Sequence, residues 1–71
     1  MSDLRVGVAG AGVFGNYHAQ KAAASGRTHL SGIFDVSEAR AKQLADQFGV
    51  PAFTDFNAFL EASDAVIVAV P

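Results

Sequence analysis

The run Val6-Gly7-Val8-Ala9-Gly10-Ala11-Gly12-Val13-Phe14-Gly15 constrains the fold more than any other stretch. Small residues interleave with β-branched valines and end in Gly-x-Gly-x-x-Gly. By itself this pattern marks only a tight β-to-α turn. Here a strand-like segment precedes it, a helix-forming segment follows, and Asp35 stands twenty positions beyond Gly15. That arrangement is the one expected of a dinucleotide-binding βαβ unit.

Read in order, Arg5 to Ala9 has the character of a buried strand, with Gly7 and Ala9 leaving room for close packing on one face. Gly10 to Gly12 turn the chain. Val13 to Ser25 favour helix, and Gly15, Ala19, Ala22 and Ala23 form a stripe of small side chains that lets the helix lie close on a sheet. Gly26 is the expected C-terminal cap. Thr28 to Phe34 reads as a second strand, interrupted at Ser31 and Gly32 and ending at Asp35. Ser37 suits the N-cap of a second helix whose Ala41, Leu44, Ala45 and Phe48 follow helical spacing, with Gly49 and Pro51 ending it. Val50 to Phe53 predicts a short strand. A short helix capped by Thr54 or Asp55 then presents Phe56, Phe59 and Leu60, and Ala65 to Val70 is a continuous apolar strand of the kind covered on both faces.

The β-α-β-α-β-α-β order, joined by right-handed crossovers, predicts a doubly wound, Rossmann-type parallel α/β sheet with strand order 3-2-1-4. The first two helices then share one face, and only the short third helix covers the other. The last strand lies at an open edge although its residues demand burial. The chain is accordingly expected to be the N-terminal half of a larger Rossmann domain, residues 1–71, with a substrate-binding α/β domain outside it. A miniature domain that dimerises through that edge is the alternative.

Composition narrows the class of function. A formal net charge of −2 provides no basic surface for nucleic acid or anionic membrane. Without cysteine there is no thiolate nucleophile, disulfide or zinc–cysteine site. No apolar run approaches the length of a membrane span or a signal peptide, so a cytoplasmic protein is expected. His18 and His29 are not spaced as a metal pair, and the acidic residues are scattered, so no metal site is expected.

The glycines have separate roles in cofactor binding. Gly10 permits the turn, Gly12 lets the backbone approach a pyrophosphate, and Gly15 allows helix and strand to touch. N–H groups near Val13 and Phe14 point at the phosphates, with Ala11 between the glycines. Asp35 is placed to accept from adenosine ribose hydroxyls and to repel a 2′-phosphate, which favours NAD with NADP as the alternative cofactor. Val36 beside it carries no compensating charge. Arg40, in the first turn of the next helix, can reach the ribose or adenine.

The sequence resembles the N-terminal part of the glucose–fructose oxidoreductase and inositol dehydrogenase family, Gfo/Idh/MocA. The resemblance rests on Val6 through His18, on Phe34-Asp35 followed by Arg40-Ala41, on Phe48-Gly49-Val50, on Thr54-Asp55-Phe56 and on Asp64 through Pro71. It implies an NAD(P)-dependent oxidoreductase moving hydride between the nicotinamide and a sugar, cyclitol or related polyol. A homo-oligomer is expected. Gly10, Gly12, Val13, Phe14 and Asp35 match family cofactor positions, and Ala69, Val70 and Pro71 match the strand end bordering the cofactor. Many members carry Thr where this chain has Val70. The family's catalytic lysine, in a Glu-Lys-Pro sequence, lies beyond Pro71, so the segment alone is expected to be inactive. A flavin-binding enzyme and a non-catalytic nucleotide sensor are the competing readings.

Overall fold

The computed structural model describes residues 4–69. Four parallel strands, β1 (Leu4–Ala9), β2 (Thr28–Phe34), β3 (Ala52–Phe53) and β4 (Ala65–Val68), form one sheet in the order β3-β2-β1-β4. The connections are helices α1 (Val13–Ala24), α2 (Glu38–Phe48) and α3 (Phe56–Glu61). The expected α/β architecture and strand order are therefore observed.

One face of the sheet packs on α1 and α2. Val6 and Val8 from β1 meet Leu30 and Ile33 from β2, closed over by Ala19 and Ala22 of α1 and by Leu44 and Ala45 of α2. Leu30 and Ile33 are three residues apart, so in a regular strand they would point to opposite faces. A bulge resolves this: Val6 pairs with Leu30, but Gly7 pairs with Gly32, leaving Ser31 as the extra residue. The interruption at Ser31-Gly32 is thus what brings both apolar side chains into one core.

The opposite face is built around Phe59 of α3, which is fully buried. Its ring lies against Phe34, Phe53 and Phe56, with centroids 5.6, 5.8 and 6.0 Å away. Gly7 provides the space, because a Cβ there would stand 2.6 Å from the Phe59 ring. The Ser63 hydroxyl donates to the Phe59 carbonyl at 3.0 Å, so its contact with Ser31 Oγ at 3.2 Å has Ser31 as donor. The bulge on β2 is thereby tied to the end of α3.

Several local expectations change. Helix α1 ends at Ser25 in extended conformation (φ −74°, ψ 133°), not at a left-handed Gly26. Ser25 N–H donates to Lys21, and the Thr28 hydroxyl satisfies the Ala22 carbonyl at 2.8 Å, so no left-handed cap is needed. Ala23 is exposed rather than part of the small-residue stripe, since it lies about 100° around the helix from buried Ala22. Strand β3 starts at Ala52 rather than Val50: the Val50 N–H is taken by the Ala45 carbonyl past the left-handed Gly49 (φ 66°). Pro51 has no N–H, though its carbonyl accepts from Ile33 at 3.0 Å. Asp55, not Thr54, caps α3, accepting from Asn57 N–H at 3.1 Å. Leu60 and Phe56 remain 42% and 46% exposed, so α3 covers its face chiefly through Phe59, with Phe56 set edge-on against Phe34 at 5.2 Å. β4 ends at Val68, which is 67% exposed at the sheet edge, and Val70 lies outside the described residues.

Candidate dinucleotide site

The site forms where β1 and β2 end. Gly10 adopts φ 112°, a conformation that side chains rarely tolerate, and its N–H donates to the Phe34 carbonyl at 2.8 Å. The chain then reverses directly into α1. Gly15, on the first turn of that helix, passes so close to the Gly10 carbonyl that a Cβ would overlap the oxygen. The expected roles of these two glycines, turn and close contact, are both visible as geometry.

Gly12 differs from both. It has φ −84°, and a Cβ placed on it would meet no atom within 4 Å. Among the described residues, no neighbouring atom calls for glycine there. What glycine provides is open space over the loop, in front of a helix whose N-cap offers no side-chain acceptor. The first-turn N–H groups of Val13 and Phe14 thus stand at a helix N-terminus with no side-chain cap, the kind of end that can hold an anion. This is the shape that a pyrophosphate requires, and the residues present fit a dinucleotide.

Asp35 holds two backbone segments at once. Oδ2 accepts from Ala11 N–H at 2.9 Å, and Oδ1 accepts from Ser37 N–H at 2.8 Å. Foremost the Ser37 N–H, then the Ala11 N–H and the nearby Arg40 charge, outweigh partial burial and hold the carboxyl below its ordinary value of 3.8. A carboxylate has about four acceptor positions, so two remain for incoming hydroxyls.

Gly10, Ala11, Gly12, Val13, Phe14, Asp35, Arg40 and Ala69 line one cleft of about 130 Å³. Ala69 is fixed there by its N–H bond to the Ala9 carbonyl at 2.8 Å. Val36, 91% exposed, joins Ala9, Gly10, Phe34 and Asp35 around an adjoining, mostly apolar depression. Gly15 lies beneath the loop rather than on the cleft wall. Val70 and Pro71 lie outside the described residues. The sequence reading gives Ala9 and Phe34 no cofactor role, although their place at the last positions of parallel strands is the signal that marks such sites. A wider groove, about 310 Å³, runs between α1 and α2 past Asn16, Gln43 and Gln47. It shares Ala11, Gly12, Val13 and Arg40 with the cleft, so the two open onto the same glycine loop. His18 does not line the cleft: it packs edge-on against Tyr17, which in turn carries Lys21 over its ring at 4.9 Å.

A parallel sheet in this order, a glycine turn leading into an open helix N-terminus and a carboxylate at the end of β2 define a dinucleotide-binding Rossmann protein. The chain belongs to the Gfo/Idh/MocA oxidoreductase family, described as having an NAD-binding Rossmann fold, which it matches over residues 4–71. NAD is thus its cofactor. Over its whole length it is 39% identical to the UDP-N-acetylglucosamine 3-dehydrogenase of Acidithiobacillus ferrooxidans, covering 22% of that protein, whose solved structure superposes with a TM-score of 0.89. GenD2 from gentamicin A biosynthesis, solved in complex with NAD, is 32% identical, with a TM-score of 0.91 over all of this chain and 21% of that one. The glucose-6-phosphate 3-dehydrogenase of Bacillus subtilis is 28% identical over 94% of this chain and 19% of its own length. The chain spans about a fifth of these relatives. Among the described residues no helix is long and apolar enough to cross a membrane.

Proposed function

We propose that the intact protein is an NAD-dependent dehydrogenase oxidising a hydroxyl-bearing carbon of a sugar, cyclitol or related polyol, and that this segment supplies its cofactor half. The open space over Gly12, which no packing among the described residues explains and which opens onto the same cleft as Asp35, carries the reading for this chain. Bound NAD supplies the hydride acceptor. The loop and the α1 N-terminus bind the pyrophosphate, and Asp35 orients the adenosine ribose. The names of two relatives, each a 3-dehydrogenase of a sugar or sugar nucleotide, support a sugar-ring substrate. The test is to incubate the intact protein with NAD and a panel of sugars, sugar phosphates, nucleotide sugars and cyclitols while following NADH absorbance. NAD binding without turnover of any panel member would favour a nucleotide sensor instead.

A preference for NAD over NADP belongs to the same proposal. A 2′-phosphate about 4 Å from the Asp35 carboxylate would meet repulsion of about 4 kcal/mol at an effective dielectric near 20. Replacing Asp35 with Ser is expected to lower the ratio of NAD to NADP affinity by at least about tenfold. An unchanged ratio would remove Asp35 from cofactor discrimination.

A further inference from the structure

We infer that Asp35 is a positioning residue for the glycine loop as well as a ribose acceptor, its carboxylate holding the Ala11 N–H so that the loop keeps the shape that receives pyrophosphate. The inference rests on dinucleotide binding at this site. Asp35 is itself anchored, since Oδ1 accepts the Ser37 N–H at the start of α2. Its other oxygen reaches back across the β1–β2 junction to Ala11, at 2.9 Å. Gly10 is held independently by the Phe34 carbonyl, and the Gly12 carbonyl accepts from Asn16 at 3.0 Å. Ala11, between them, has its N–H held by a side chain alone. A carboxylate that served only the ribose would not need that bond. Because the acceptor is charged, the bond belongs to the stronger class. The ribose end and the phosphate end of the site therefore depend on one side chain.

The test separates the two roles with a ligand that lacks the ribose hydroxyls. Calorimetry on the intact protein compares ADP with 2′,3′-dideoxy-ADP for the natural protein and for Asp35→Asn, whose amide keeps a single acceptor oxygen. The Asn variant is expected to weaken both nucleotides, the dideoxy form by roughly tenfold, equivalent to about 1.4 kcal/mol. A deficit seen with ADP that vanishes with dideoxy-ADP would overturn the positioning role. In ligand-free natural protein, the Ala11 amide proton resonance should shift as the carboxylate is titrated, and a resonance indifferent to that titration overturns the inference even if the variant does not fold. Failure of the natural protein to bind either nucleotide would instead defeat the dinucleotide reading, and the Ala11 resonance would still show whether the carboxylate holds the loop.

Discussion

Gly15 and Gly10 are in backbone contact: a Cβ built on Gly15 would stand 2.7 Å from the Gly10 carbonyl carbon. The obstacle is main chain, which cannot turn aside as a long side chain can. Gly15→Ala should therefore push α1 off the loop and destabilise the protein by about 1–3 kcal/mol, the usual cost of overpacking. Thermal denaturation reads the loss of stability, and NAD affinity should fall with it because the displaced loop is the proposed phosphate site. A variant as stable as the parent would show that helix and loop can separate freely.

Gly12→Val separates binding from folding. The backbone there is ordinary (φ −84°) and no atom lies within 4 Å of the added Cβ, so the melting temperature should stay close to that of the parent. NAD affinity should drop at least about a hundredfold, because the valine would occupy the space proposed for the pyrophosphate. Unchanged affinity by calorimetry, in a protein that melts normally, would mean the phosphates pass elsewhere.

Phe59 alone is fully buried on the α3 face, and the ring fills the hollow left by Gly7. Truncation to Ala should cost about 3–5 kcal/mol. That is a large share of the roughly 4–11 kcal/mol available to a unit of this length. Urea titration of the variant should show a clearly lower midpoint than the parent. A midpoint within experimental error of the parent would show that the second face contributes little.

Asp35 links stability to pH. Its folded-state pKa lies below the ordinary carboxylate value, so the stabilisation is present above about pH 4 and is lost as pH falls through the lower folded-state value. Unfolding free energies measured from about pH 6 down to pH 3 should fall, and Asp35→Asn should flatten that fall. Asp64 is lowered in the same direction by its hydrogen bonds from Arg5. The two side chains of that pair are 39% and 48% exposed, so solvent screening leaves it a small part of the slope. An identical pH slope for the natural protein and Asp35→Asn would show that this carboxylate is not held by the loop.

The sequence by itself determined the order of elements, the parallel sheet and the place of the cofactor loop. Those features rest on local chemistry: glycine where φ is positive, valine and isoleucine in strands, Ser37 before a helix, apolar residues at helical spacing. Asp35 was legible for the same reason, through its distance along the chain from Gly15. Only the tertiary structure decided the facing of Leu30 and Ile33, because that depends on which residue of β2 is left unpaired opposite β1. It also decided that Ser25 rather than Gly26 ends α1, since the Thr28 hydroxyl supplies from β2 the hydrogen bond a glycine cap would otherwise arrange. The bond between Ala11 and Asp35 belongs to this second group. It joins residues 24 apart in sequence, and no periodicity reports a contact made across the ends of two neighbouring strands.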